Sequence, residues 1–162
     1  MVWRYCGCVV YSTSPRAPRG GGLALPITEL SATLGRDVFT HPEEHGLGEC
    51  DEETMEQLRR VRDAPGARVR IYRALPPGFG QINRGDWVTL SRDYARQHAM
   101  RDDVAARDWP IVQADVPAST VFTDGKDLDE YGYDGPSLAG LADQGAEGPA
   151  GPQAGGHSAE PL

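Results

Sequence analysis

The sequence is poor in positive charge, and almost all the positive charge it has is arginine. Sixteen lysine and arginine residues face 24 acids, which gives a formal net charge of -8 at pH 7, and Lys126 is the only lysine. A protein that coats nucleic acid needs a basic face for the phosphates. The charge balance therefore argues against such a protein, although it leaves room for a nucleotide held in a local pocket.

Cysteine is also scarce, and the spacing of the cysteines matches no common disulfide or metal-binding pattern. The three cysteines are Cys6, Cys8 and Cys50. They form no CxxC pair and have no histidine at ligand spacing, so the sequence predicts neither a zinc site nor a disulfide framework. We expect ordinary free thiols.

Long apolar runs are missing as well. No stretch approaches the roughly 18 apolar residues that a membrane-spanning helix needs. The first 22 residues contain three arginines, no acid and only Val9 and Val10 as an apolar centre, which does not fit a secretory signal. We therefore expect a soluble cytoplasmic protein with no membrane partner.

The two ends of the chain differ in composition from its middle. Residues 12–22 read STSPRAPRGGG, and the chain from Pro136 onward is rich in Gly, Ala and Pro. Such segments bury too little apolar surface to offset the entropy lost on ordering. We predict a disordered extension over 1–22, one folded domain over 23–135 and a disordered tail over 136–162.

Periodicity within the middle segment predicts an α+β fold. A helix is expected after Asp51, its N-cap, with acids in the first turn and arginines in the last. Ser91 is the expected N-cap of a second helix. Alternating apolar and polar residues mark the strands. The predicted helices are 52–63 and 92–101, and the predicted strands are 68–75, 86–91, 110–116 and 120–123.

Arg73 is the first candidate functional residue. It shares a predicted strand face with Val69 and Ile71, where a guanidinium is costly unless a carboxylate or a phosphate pairs with it. Two interpretations stay open, a structural ion pair and a bound phosphate. The candidate internal partners are Asp86, Asp127 and Glu130.

Small hydroxyls and two rings follow in the stretch GDWVTLSRDYARQHA, residues 85–99. Thr89 and Ser91 share a strand face, where they leave room for a ligand; solvent exposure of Thr89 and capping by Ser91 are the structural alternatives. Tyr94 and His98 stand four residues apart and project from one helix face. They either cover the edge of the core or contact a ligand.

An acidic cluster near the end of the folded segment is the third element. It lacks the glycine and final glutamate of a calcium loop, so the sequence predicts no metal site. Most of its acids fit a solvated turn. Glu130, between Leu128 and Tyr131, fits that role poorly, and its carboxylate is suited to stabilise developing positive charge on a sugar or to take a proton.

In this order, three segments resemble ADP-ribosyltransferase-like domains of the Arg-Ser-Glu class. They are IYRAL at 71–75, DWVTLSRDYARQH at 86–98 and DGKDLDEYGYDG at 124–135. The similarity is greatest to domains of phage and prophage proteins, some of them fused to head-morphogenesis modules. It covers roughly residues 69–134.

The resemblance implies a split, strongly bent antiparallel sheet that clamps NAD, the substrate. Arg73 would contact the NAD phosphates or ribose. Thr89 and Ser91 would match the outer members of a Ser-Thr-Ser motif that shapes the nicotinamide pocket, and Tyr94 would cover the nicotinamide. Glu130 would stabilise the oxocarbenium-like ribose as nicotinamide leaves.

Two positions depart from the family pattern. Leu90 replaces the middle threonine, and Leu128 stands where an upstream glutamate activates an arginine acceptor. NAD hydrolysis, transfer to another acceptor on protein or nucleic acid, and loss of activity all stay open. We expect an NAD-dependent ADP-ribosyltransferase or NAD glycohydrolase that is cytoplasmic, virion-associated or delivered to another cell as a toxin.

Two other functions fit the same residues. Tyr94 and His98 would be the acid and base of a metal-independent, toxin-like ribonuclease. Alternatively, the chain is an inactive phage accessory domain that keeps the fold for partner binding.

Overall fold

The computed structural model describes residues 16–45, 52–76, 78–100, 108–126 and 128–139. Asp51 and Arg101, the expected ends of two helices, lie outside these ranges, as do Asp127 and the cysteines. Two antiparallel sheets and three α-helices make up the described part, so the α+β prediction is confirmed. None of the helices in these ranges has the length and apolar character that crossing a membrane requires.

The two sheets share one apolar core. The strands are β1 (Leu25–Pro26), β2 (Arg68–Ala74), β3 (Trp87–Val88), β4 (Ile111–Pro117), β5 (Val121–Thr123) and β6 (Tyr131–Tyr133), and the helices are α1 (Leu30–Leu34), α2 (Glu52–Val61) and α3 (Arg92–Ala99). The larger sheet has the strand order β1-β5-β6-β3, and the smaller pairs β2 with β4. Short 3-10 turns cover 27–29, 36–39, 42–45 and 118–120.

Strand β2 follows the predicted alternation and pairs along its whole length with β4. Arg68 lies opposite Pro117 at one end of the ladder and Ala74 opposite Ile111 at the other. Val69 and Ile71 are fully buried, as expected for the apolar face. On the opposite face Arg68 and Arg70 are exposed, but Tyr72 is covered and only 5% exposed.

Helix α2 buries Met55, Leu58 and Val61 against the core. It also buries Gln57, which the apolar pattern does not mark. The Gln57 amide donates to the carbonyls of Arg70 and Leu90 at 2.9 and 2.7 Å, and its oxygen accepts from the Arg70 amide at 2.7 Å. One polar side chain thus joins α2 to two neighbouring segments.

The strand predicted over 86–91 is shorter in the structure, and the reason lies in the split between the sheets. Trp87 and Val88 pair with β6, whereas Thr89 exchanges both backbone hydrogen bonds with Tyr72 of β2. The segment therefore leaves one sheet and meets the other at Thr89. Helix α3 begins three residues later, with Ser91 as its N-cap as predicted.

The described parts of the two predicted tails pack on the domain. Ala17 is buried, and the Gly20 amide donates to Asp134. Leu138 exchanges backbone hydrogen bonds with Ile82. Backbone pairing and a few buried apolar contacts hold these segments, which composition alone assigns to linkers. Residues 1–15 and 140–162 lie outside the described ranges.

Candidate functional site

A cavity of about 320 Å³ opens where the two sheets meet α3. Both apolar and polar groups line it, and they come from five segments between residues 72 and 130. Typical small-molecule sites span about 300 to 1,000 Å³. Its lining consists of Tyr72, Arg73, Ala74, Trp87, Val88, Thr89, Tyr94, Ala95, His98, Trp109 and Glu130.

Four of the five predicted site residues line this cavity. Arg73 comes from the end of β2, Thr89 from the junction between the sheets, Tyr94 from α3 and Glu130 from the segment before β6. The fifth, Ser91, is 1% exposed and does not line it. The Ser91 hydroxyl accepts from the backbone amide of Tyr94 at 3.1 Å, so its observed role is to cap α3.

Arg73 forms an ion pair with Asp86, one of its three predicted internal partners. Asp86 is itself fixed by a turn, since its carboxylate accepts from the Asn83 amide at 2.7 Å. The Arg73 side chain is 28% exposed and faces the cavity. A guanidinium carries five N–H donors in a planar fork. The contact with Asp86 therefore orients the group and leaves donors to face an anion in the cavity.

Thr89 contributes a buried wall at the point where the sheets diverge. It is 5% exposed, and its hydroxyl accepts from the backbone amide of Ser91 at 3.2 Å. The solvent-exposed alternative is therefore wrong. Because its hydroxyl oxygen hydrogen-bonds the backbone that leads into α3, Thr89 contributes to the cavity through its shape.

Tyr94, His98 and Glu130 form a compact polar group on one side of the cavity. The Tyr94 hydroxyl donates to Oε1 of Glu130 at 3.3 Å, and Nε2 of His98 lies 3.8 Å from the same oxygen. The two rings lie 4.6 Å apart between centroids and are tilted by 50°. Helical spacing predicts that these rings share a face; their approach to Glu130 depends on the tertiary fold.

On the other side of the cavity, Glu53 of α2 lies outside the lining and holds two elements in place. One carboxylate oxygen accepts from the Tyr72 hydroxyl at 2.7 Å, and the other accepts from the Arg92 amide, the first of α3, at 2.9 Å. Burial, followed by the hydrogen bond to Glu53, raises the pKa of Tyr72 to about 12. Glu53 thus fixes a lining residue of β2 and the start of α3 relative to each other.

Two tryptophans add apolar surface that the sequence argument did not use. Trp87 is the first residue of β3, and Trp109 donates its backbone N–H to the carbonyl of Ala99 at 2.9 Å. Trp87 shares a predicted strand face with Thr89, which is a signal that could have identified it. No local pattern marks Trp109, because its place beside α3 depends on the path of the chain.

No protein-family model, no curated protein and no solved structure matches this chain.

Proposed function

We propose that this chain is an ADP-ribosyltransferase-like, NAD-consuming enzyme that acts as a transferase or as an NAD glycohydrolase. The observation that carries the proposal is the convergence of Arg73, Thr89, Tyr94 and Glu130 on one cavity. Each of these residues has a common structural use when taken alone. Their convergence from segments up to 57 positions apart favours a shared ligand, and two antiparallel sheets that part at Thr89 suit the proposed split fold.

The polar groups suit a ligand that contains both phosphate and a cationic ring. Arg73 offers N–H donors to a phosphate, which a guanidinium binds well. Trp87, Tyr94 and Trp109 offer rings for stacking against nicotinamide and apolar contact with ribose. The volume suits the nicotinamide ribose end of NAD, with the remainder extending along the open side.

The proposed reaction breaks the bond between C1′ of the ribose and the nicotinamide nitrogen. The bond's electron pair leaves with nicotinamide, and positive charge develops on the ribose. The Glu130 carboxylate stabilises that charge, because a fixed negative group in a partly dry cavity interacts strongly with it. An acceptor oxygen or nitrogen then bonds to C1′ and loses a proton; with water, the products are ADP-ribose and nicotinamide.

The acceptor and the place of action belong to the same proposal and rest on the resemblance. A protein or nucleic acid would receive ADP-ribose in a transferase, and water would receive it in a glycohydrolase. The phage-associated kind of domain suggests action in the cytoplasm, on a virion, or in a second cell.

A metal-independent ribonuclease is the second candidate, because Tyr94 and His98 lie in contact at one edge of the cavity. Glu130 makes this candidate weaker. Its carboxylate lies 3.3 Å from the Tyr94 hydroxyl and 3.8 Å from Nε2 of His98, where it would repel an approaching phosphodiester. The discriminating assay is cleavage of RNA in the presence of a chelator.

The test is release of labelled nicotinamide from NAD by the purified chain. We expect release by the wild type and a loss of at least about 100-fold in Glu130→Gln, which removes the charge at nearly constant shape. Asp115→Asn is the matched control, because Asp115 is an exposed acid that does not line the cavity. It should retain the wild-type rate.

Three results would contradict the proposal or redirect it. Equal release by wild type and Glu130→Gln would remove the catalytic assignment. No release, but a rise in melting temperature with NAD, would indicate a binding domain, since a ligand of the folded state stabilises by mass action. Neither release nor stabilisation would overturn the NAD proposal and favour the accessory-domain alternative.

A further inference from the structure

The side chains of His98 and Glu130 lie near each other in the cavity but make no direct hydrogen bond. Nε2 of His98 lies 3.8 Å from Oε1 of Glu130, which is too long for a direct hydrogen bond. Two polar groups farther apart than about 3.5 Å can be joined by one oxygen that hydrogen-bonds both of them. Both side chains line the cavity, so an oxygen in this position would also face a ligand there.

Among the described lining residues near Glu130, His98 is the one suited to accept a proton. The Arg73 guanidinium has no lone pair, and the indoles of Trp87 and Trp109 only donate. The Tyr72 hydroxyl donates to a carboxylate behind the wall, and its pKa is raised to about 12. The imidazole of His98 has a ring nitrogen that can accept a proton, and imidazoles commonly serve as general bases.

The charge of the lining also restricts the acceptor. A guanidinium acceptor must lose a proton before a nitrogen has a lone pair for C1′, and as a cation it would need a carboxylate besides Glu130 to balance its charge. Glu130 is the carboxylate among the described lining residues, and Arg73 already supplies a cation. Leu128, two positions before Glu130, is buried at 1% exposure and adds no acid. A neutral hydroxyl has neither requirement.

On the basis of the proposed function, we propose that His98 takes the proton of the acceptor hydroxyl beside Glu130. This acceptor is water, which can donate to both side chains, or an alcohol, whose single O–H donates to His98. The hydroxyl oxygen forms a bond to C1′ of the ribose as the bond from C1′ to nicotinamide breaks. The electron pair leaves with nicotinamide, and the hydroxyl proton passes to Nε2 of His98. His98 is then a catalytic residue, and the guanidinium of arginine is not a substrate.

The first experiment uses the wild-type chain with NAD and either methanol or agmatine, a guanidine, as the added acceptor. Nicotinamide and all ADP-ribose products are separated and identified by mass. We expect ADP-ribose in each reaction and O-methyl ADP-ribose with methanol. Agmatine should give no adduct. An agmatine adduct as a main product would overturn this inference while supporting the NAD proposal, whereas no nicotinamide release at all would overturn both.

The second experiment asks whether His98 acts chemically. His98→Gln keeps a polar side chain but cannot take the proton, and we expect nicotinamide release to fall by about 100-fold. His98→Ala should fall similarly and recover part of the rate with added imidazole, which a merely structural role would not produce. Gln97→Ala, an exposed change on the same helix, should retain the wild-type rate.

Two results of this second experiment would overturn the assignment. One is a wild-type rate in His98→Gln. The other is a His98→Ala variant that binds NAD as the wild type does, yet gains nothing from imidazole. The acceptor experiment needs no variant, so it decides the hydroxyl preference even if a substitution at position 98 prevents folding.

Discussion

The hydroxyl of Tyr94 donates a hydrogen bond of 3.3 Å to Oε1 of Glu130, across 36 positions of sequence. Tyr94 belongs to α3, and Glu130 precedes β6, so this contact joins the helix to the larger sheet on the rim of the cavity. A carboxylate on a connecting segment has many rotamers available. The hydrogen bond from a residue on a helix restricts Glu130 to the orientation that faces the cavity.

Removing this hydroxyl should reduce activity with little loss of fold. In Tyr94→Phe the ring still packs on His98, but Glu130 loses a donor. Hydrogen bonds to charged groups contribute about 1.5 to 3 kcal/mol, so we expect nicotinamide release to fall about tenfold or more. Steady-state rates with NAD measure the effect, and Tyr94→Ala should be worse because the stacking is lost too. An unchanged rate in Tyr94→Phe would show that Glu130 needs no such restraint.

Removing Asp86 should destabilise the fold through Arg73. In Asp86→Ala the guanidinium stays partly buried without its carboxylate, and the Asn83 amide loses its acceptor. We expect the free energy of unfolding to fall by about 2 kcal/mol, as measured by urea denaturation. Asp86→Asn, which keeps an oxygen for the turn, should lose less.

The ion pair between Arg70 and Asp115 is the matched control for Asp86. Both side chains are about half exposed, at 48% each. Exposed pairs contribute about 0 to 1 kcal/mol, so Asp115→Asn should change the free energy of unfolding by less than about 1 kcal/mol. Equal losses in the free energy of unfolding at Asp86 and Asp115 would mean that the greater burial of the Arg73–Asp86 pair adds no stability.

Ser91 should contribute to stability through α3. Its hydroxyl accepts from the Tyr94 amide, and N-cap replacement by alanine typically costs about 1 kcal/mol. We expect Ser91→Ala to lower the free energy of unfolding by that amount and Ser91→Thr, which can still cap, to lose less. A weaker affinity for NAD in Ser91→Ala at full stability would instead favour the binding role predicted from the resemblance.

The raised pKa of Tyr72 gives a prediction for alkaline pH. Burial and the hydrogen bond to Glu53 favour the protonated phenol in the folded state, with a pKa of about 12 against an ordinary 10.0. Between these values the folded state binds more protons than the unfolded state, so stability falls as pH rises. Urea denaturation from pH 9 to 11 should show a smaller fall for Tyr72→Phe. Part of the fall in stability will remain in Tyr72→Phe, because burial also raises the pKa of Tyr133.

Gly132 should resist substitution because a neighbouring segment lies against it. A Cβ at this position would lie 1.8 Å from the carbonyl oxygen of Pro18. We expect Gly132→Ala to displace the segment around Pro18 and to speed trypsin cleavage after Arg19. Gly66→Ala, where no atom lies within 4 Å of the added carbon, is the control. Equal cleavage in wild type and Gly132→Ala would mean that the segment does not depend on this contact.

Local patterns were sufficient to predict the parts of the fold that depend on local physics. The alternation of Val69 and Ile71 identified the buried face of β2, and Ser91 followed by Asp93 identified the start of α3. Capping and alternation depend on residues a few positions apart, which a sequence displays directly. The burial of Tyr72 depends on α2 and α3 covering the other face, which no local pattern shows.

The sequence pointed to four residues that line the cavity but not to the contacts between them. The sequence offered three acids for Arg73, and the choice of Asp86 depends on the turn that brings its carboxylate to the end of β2. Glu53 gave no signal, because its role arises only where α2 crosses two other elements. Trp109 was missed for the same reason. Pairings between distant segments depend on the tertiary fold, and a single sequence does not display them.

The order of the cavity's walls along the chain affects when the site can exist. Tyr72 is the first lining residue and Glu130 the last, and β6, directly after Glu130, pairs with both β3 and β5. Chains are synthesised from the N-terminus, so a ribosome-bound chain has β2 and α3 before it has this carboxylate. The nascent protein thus lacks a complete cavity until Glu130 and β6 have been made.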